Sequence, residues 1–406
     1  MRTVAFLIFF VLIFATFAGN RLSAGLGYSR LEQRFVMFES DTLAESDELR
    51  GFVDGQAKLT LGNNEITATG LFSGGSQTLW GKAKGNWQLK TKSNLVYSAE
   101  IGADTREPIE DSTISGFVRT FGYLRLKKNW GNANGGLKLS FEQKKYSGNT
   151  KYSYDYSMTK LRFDFGFPFL GNDELTAGYQ FSFRYAPDTL EANNLRNNFY
   201  ASWETFAGRH FLMADFEAER RFYNRGNLNG NFWWANVNVA PRFALSNKFT
   251  FAPTLSGEGY RYDWASETYP NREIASAKTK IEFNPGSYFY TGIAPKYLIS
   301  HALGVVTTDN YSEISVELSA DLLKYKKIWF DLTLEPGVRI YKTPPEDGGY
   351  YSDYTFVEAN ALFAYWIFKG LRLDAFFTYS PEWHKINEDD ITTLYISTNL
   401  KYEFFE

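Results

Sequence analysis

Basic side chains recur at every second position in one half of this chain, and acidic ones recur in the same way in the other. Lys82, Lys84 and Lys90 are followed by Arg119 and Arg125, by Lys138 and Lys144, then by Arg162 and Arg184. Further along stand Asp215, Glu217 and Glu219, then Glu313, Glu317 and Asp321, then Asp331, Glu335, Glu358 and Asp374. Glu142 and Asp164 interrupt the basic half, and Arg242, Lys278, Lys280 and Arg339 interrupt the acidic one. Charges spaced by two hold or steer ions and polar solutes; they break no bonds. Groups for covalent chemistry are few. The three histidines are His210, His301 and His384. Glu382 precedes His384, and Glu388, Asp389 and Asp390 follow it, a grouping that could supply a base or a metal ligand. No His-Glu-x-x-His helix or Gly-x-Ser-x-Gly turn is present. The histidines therefore read as solvated turn and rim residues, and neither a cofactor, a metal nor an enzymatic step is expected.

The elements that must hold these charges are visible in the same alternation. Leu161, Phe163, Phe165 and Phe167 interleave with Arg162, Asp164 and Gly166. Val357, Ala359, Ala361, Phe363, Tyr365 and Ile367 interleave with Glu358, Asn360, Leu362, Ala364 and Trp366. A period of two is a strand with two unlike faces. One face is charged and the other aromatic and aliphatic, segment after segment, so the apolar face has lipid as its solvent. This predicts an all-β chain forming a transmembrane antiparallel β-barrel of about 18–20 strands. Sequence order is then angular order. One wall is basic, with Lys82, Lys84, Arg119, Arg162 and Arg184; the other is acidic, with Glu217, Glu313, Glu317, Asp331 and Glu335. A field between two such walls orders water and steers polar solutes. The same residues equally read as lumen groups that keep the interior wet, with neighbouring strands pairing their charges.

Composition agrees with this reading. The chain has 406 residues and 18% aromatics, yet its mean hydropathy is −0.35. In a barrel only alternate residues of the wall need be apolar, which reconciles the two figures. One strand pattern persists without a linker, so residues 48–406 read as one barrel. The net charge of −3 gives no basic excess for nucleic acid, and the absence of cysteine removes disulfides and thiolate sites. Met1-Arg2-Thr3 opens the chain, an apolar run from Val4 to Phe17 follows, and Ser23, Ala24 and Gly25 are small. This reads as a signal peptide over 1–24, cleaved after Ala24 or Gly25. Residues 25–47 fit either a first strand or an inserted segment, because Leu31, Arg34, Phe35 and Phe38 also suit a short helix. No independent plug domain precedes the barrel in this reading.

Short turns such as Lys92-Ser93-Asn94, Gly208-Arg209 and Lys369-Gly370 alternate with longer connections, including 104–114, 187–196 and 342–353. The acid-rich connections are candidates for divalent-cation bridges to lipid phosphates or for simple solubility. The connection Thr343–Tyr351 could fold inward as a constriction, or stay outside as an ordinary loop. Tyr152, Tyr154, Tyr156 and Met158 share one parity, whereas Leu161, Phe163, Phe165 and Phe167 share the other. A bulge near Thr159-Lys160 is expected, or else 152–157 stands above the membrane. Phe117, Phe121 and Tyr123 share the parity of Arg119 and Arg125, which leaves the facing of that strand open. Pro241, Pro253, Pro295 and Pro336 fall on the predicted lipid face, where bulges or kinks are expected.

The last segment carries Leu394, Ile396, Thr398, Leu400, Tyr402 and Phe404 in alternation. It resembles the C-terminal assembly signal of bacterial outer-membrane barrels, departing from it in that Glu406 follows Phe405 and the run lacks Gly. The chain as a whole resembles the porin-like class. That resemblance implies export to the outer membrane of a Gram-negative cell, with short periplasmic turns and longer extracellular loops. It implies outer-membrane lipids and the barrel-assembly machinery as partners, and it admits a homo-oligomer. The function expected is a channel for passive or weakly selective diffusion of small hydrophilic solutes, ions included. The alternatives are a surface scaffold or secretion-associated barrel without solute flux, and an enzyme whose site lies on the rim.

Overall fold

The computed structural model is a single ring of 20 antiparallel strands. It describes residues 21–37, 40–76, 78–108, 115–147, 154–168, 173–223, 230–266, 269–304, 310–343, 352–385 and 389–405; side chains are described throughout these except at 34–37, 40–46, 190 and 405. The first ten strands are β1 Arg21–Met37, β2 Ser40–Leu61, β3 Asn64–Gly75, β4 Thr78–Lys90, β5 Leu95–Pro108, β6 Phe117–Trp130, β7 Ala133–Tyr146, β8 Tyr156–Pro168, β9 Glu174–Tyr185 and β10 Asn194–Ala207. The second ten are β11 His210–Tyr223, β12 Phe232–Ala244, β13 Phe249–Tyr262, β14 Asn271–Gly286, β15 Phe289–Leu303, β16 Tyr311–Lys324, β17 Ile328–Tyr341, β18 Tyr354–Phe368, β19 Leu371–His384 and β20 Ile391–Phe405. Each strand pairs with its neighbours in sequence, and β1 closes the ring on β20 from Leu22↔Phe405 to Phe35↔Ile391. Closure leaves no free edge, which a lipid-embedded sheet requires.

Alternation sorts the side chains. Leu137, Leu139 and Phe141 on β7, Phe163, Phe165 and Phe167 on β8, and Leu400, Tyr402 and Phe404 on β20 are all exposed on the outside. Among the described residues the buried hydrophobic cluster is Tyr341, Tyr354 and Phe356, with Tyr311 packed against it. The aromatic and aliphatic rows therefore do not meet in a core between two sheets, and an apolar surface of this extent is stable against hydrocarbon, not water. The chain folds as a transmembrane β-barrel.

Of the two readings open for residues 25–47, the strand is the one found: 25–37 lie in β1 and 40–47 open β2. Arg21–Ala24, read from sequence as the end of the leader, are also paired in β1: Ser23 lies opposite Asp54 and donates its hydroxyl to that carboxylate. The rest of the expected leader lies outside the described residues, as does most of the Thr343–Tyr351 connection. There is no bulge near Thr159-Lys160, because β8 keeps one register with β7 and β9 throughout. Tyr156 faces inward with Lys160 and Arg162, and it gives its hydroxyl to Glu142. The apparent phase slip arose from aromatic residues in the lumen. The prolines do not shift the register either. Pro241 stands opposite Pro253 where the β12–β13 ladder skips, and the pairs Val239↔Leu255 and Phe243↔Phe251 on either side keep the same register. A missing N–H removes one bond, and the flanking bonds hold the alignment.

Candidate functional site

The inward-facing charges begin on β4. Lys82 lies opposite Asp104 and Lys84 opposite Gly102. The Lys84 ammonium is 3.5 Å from Glu100, and Lys82 sits 6.0 Å from the centre of the Phe121 ring. Asp104 is buried and belongs to Arg119, whose Nε lies 3.1 Å from both its oxygens. Arg162 donates from Nε to Asp164 at 2.6 Å and lies 4.6 Å from the centre of the Tyr200 ring. Arg184 covers Tyr156 at 4.2 Å and Tyr154 at 5.0 Å. Phe121 and Tyr123 face inward with the basic residues, which answers the question of facing on β6. Their rings lie beneath cations, where cation–π attraction holds the charge without neutralising it.

The acidic residues are placed less simply. Glu313 is 4% exposed and receives Arg339 Nε at 3.0 Å and Nη2 at 2.7 Å. Glu317 pairs with Lys278 and, at 3.4 Å, with Lys280. Glu335 accepts from Lys296 at 2.9 Å and from the Ser315 hydroxyl at 2.6 Å. Asp331 lies directly opposite Asp321. These residues sit on β16 and β17. In the ring of 20, β16 is ten strands from β6, so this side does face the basic one. Glu217 does not belong with them. It lies on β11, two strands from the Arg184 of β9, and takes a hydrogen bond from Asn198 at 2.6 Å.

Both sides carry their own counterions, so the lumen charge is patterned site by site. Several of these contacts jump a strand, and a small residue on the strand between makes room. Tyr200 of β10 reaches Asp164 of β8 across Gly178 of β9, where a Cβ would collide with the phenol ring. Lys278 of β14 reaches Glu317 of β16 across the fully buried Ala294 of β15. Lys296 of β15 reaches Glu335 of β17 across Ser315 of β16, itself 2% exposed.

His384 departs from the sequence reading. It is not solvated: it is 6% exposed, its ring lies 4.8 Å from that of Tyr354, and its Nδ1 is 2.7 Å from the Ser352 hydroxyl. Its Nε2 is 3.5 Å from Glu382. Serine, histidine and glutamate thus neighbour one another, a grouping that elsewhere activates a nucleophile, but His384 Nε2 makes no hydrogen bond here. Here Ser352 is 4% exposed, so its oxygen is shut away from any substrate. The same residues tie the connection between β17 and β18 to the end of β19, where Asp390 also caps the His384 N–H at 2.6 Å. Sequence reasoning missed Ser352, because its contact with His384 spans 32 positions. His210 and His301 are exposed, at a turn and near the opposite rim.

No protein-family model matches the chain, and no curated protein matches it. Solved structures do. The siderophore receptor PirA from Pseudomonas aeruginosa is similar with a TM-score of 0.58 and 11% identity, over 95% of this chain and 81% of that one. The alcaligin outer membrane receptor FauA from Bordetella pertussis is similar with a TM-score of 0.58 and 11% identity, over 93% and 76%. The copper transporter OprC is similar with a TM-score of 0.62 and 11% identity, over 95% and 81%. At this identity the likeness is one of fold.

Proposed function

We propose that this chain is an outer-membrane channel for passive or weakly selective diffusion of small hydrophilic solutes. The observation that carries this reading is the double sorting of the wall. A closed ring of 20 strands turns apolar rows outward and charged rows inward from nearly every strand. An interior lined in this way is solvated, and barrels of about 16–18 strands already enclose an aqueous channel. Among the described residues every regular element other than the 3-10 turn Leu190–Ala192 is a wall strand. The similar structures named as transporters and receptors support a role in traffic across the membrane.

In this reading Lys82, Lys84, Arg119, Arg162 and Arg184 line one side of the path, and Glu313, Glu317, Asp331 and Glu335 the other. Glu217 contributes a separate acidic group. No bond is made or broken. Outer-membrane lipids surround the apolar band, and the barrel-assembly machinery acts on the β20 strand. Purified protein reconstituted in a planar bilayer is expected to give stepwise conductance. Insertion without any conductance step overturns the channel reading and favours a scaffold.

A further inference from the structure

We infer that the inner wall over β6, β7 and β8 holds a binding site for a multivalent oxyanion, a small solute bearing phosphoryl or carboxylate groups. The inference rests on the channel reading, since the site faces the lumen. Arg125, Lys138 and Arg162 lie directly opposite one another on these three adjacent strands, forming a row of cations across the wall. Like charges placed opposite each other in a sheet destabilise it. The other facing cations are met by carboxylates. Arg119 faces Lys144 but has Asp104; Arg196 faces Arg221, which has Glu219; Lys278 faces Lys296, and these have Glu317 and Glu335.

The row receives less, one carboxylate for three cations. Among the described residues neither Arg125 nor Lys138 has a carboxylate within ion-pair distance, and Arg162 has Asp164 alone. The recess in front of the row measures about 480 Å³, and six basic but three acidic residues line it. All three acids are already engaged: Glu100 by Lys84, Glu142 by the Tyr156 hydroxyl, and Asp164 by Arg162 and Tyr200. Lys138 is held over the Tyr123 ring at 4.1 Å, a contact that orients the ammonium and leaves its charge available. Lys160 stands one step along β8, in the same recess. Two guanidinium forks and two ammonium groups around a cavity of this size match an anion with several oxygens.

The test uses the full-length barrel refolded in detergent and inorganic phosphate as the probe. Calorimetry reads binding whether or not the barrel conducts. Saturable phosphate binding is expected, weakened about tenfold by Lys138→Gln or Arg125→Gln, the size of one charge-assisted hydrogen bond lost. Heat-modifiable migration on gels confirms that each variant is folded. Lys280→Gln removes the same charge from the far side, and binding should hardly change. Absence of saturable binding overturns the proposal, and so does equal weakening by Lys280→Gln, which would indicate a general lumen field. In bilayers the wild type should show phosphate block of chloride current. Conductance without phosphate binding sinks the site and spares the channel; binding without conductance does the reverse.

Discussion

Arg339 aims two N–H groups, from Nε and Nη2, at a single oxygen of Glu313. The guanidinium also lies 4.3 Å from the ring of Tyr311 and 5.2 Å from that of Tyr354. Glu313 is thus the counterion of a cation packed among aromatic rings near the loop end of β17. Glu313→Ala should strand that charge and cost about 3–5 kcal/mol, as for one partner removed from a buried pair. Urea unfolding of the barrel in lipid vesicles measures it. The double variant Glu313→Leu, Arg339→Met should recover most of the loss, because it removes both charges.

Lys82 and Lys84 present their charges to the lumen beside Asp104 and Glu100. Reversing both, in Lys82→Glu with Lys84→Glu, leaves four carboxylates together. The reversal potential in a potassium chloride gradient should move toward potassium. An unchanged reversal potential would show that this side of the wall does not steer ions.

Burial of the Ser352–His384 contact assigns it to closing the loop end of the barrel. His384→Ala and Ser352→Ala should each lower stability by about 1–3 kcal/mol through an unmet buried group. Limited proteolysis between β17 and β18 should quicken in both variants. Ester hydrolysis should stay at background in the wild type and in the variants; wild-type activity lost in Ser352→Ala would favour the rim enzyme.

Asp263, just beyond β13, is gripped by both terminal nitrogens of Arg220, at 2.7 and 2.5 Å. The guanidinium holds the carboxyl below its ordinary value of 3.8. A carboxyl so lowered stabilises the fold at pH values above its unfolded pKa, and the contribution disappears as the pH falls through the folded value. The protection factors of the amides at 263–266, corrected for intrinsic exchange, should therefore hold from neutral pH down to about pH 4 and fall only below it. Asp263→Asn should remove that acid limb and cost under about 1 kcal/mol, since the pair meets solvent.

Alternation of side chains is a property of a single strand, and for that reason the barrel, its two faces and the lumen position of Lys82, Arg162, Glu317 and Glu335 were legible in the amino-acid order. Turn residues were legible too, since Gly131 and Gly370 adopt φ of 61° and 90°, which few other residues tolerate. Aromatic residues defeated the pattern: Tyr156, Phe121 and Tyr123 are apolar by type, yet they face the lumen, where cations cover them. What each charge meets was decided by tertiary structure alone. Register sets which residues stand abreast, as in the row Arg125, Lys138 and Arg162. A glycine, alanine or serine on the strand between decides whether a long side chain can reach the next strand but one. Neither condition is written within one strand; both arise when 20 strands close on themselves.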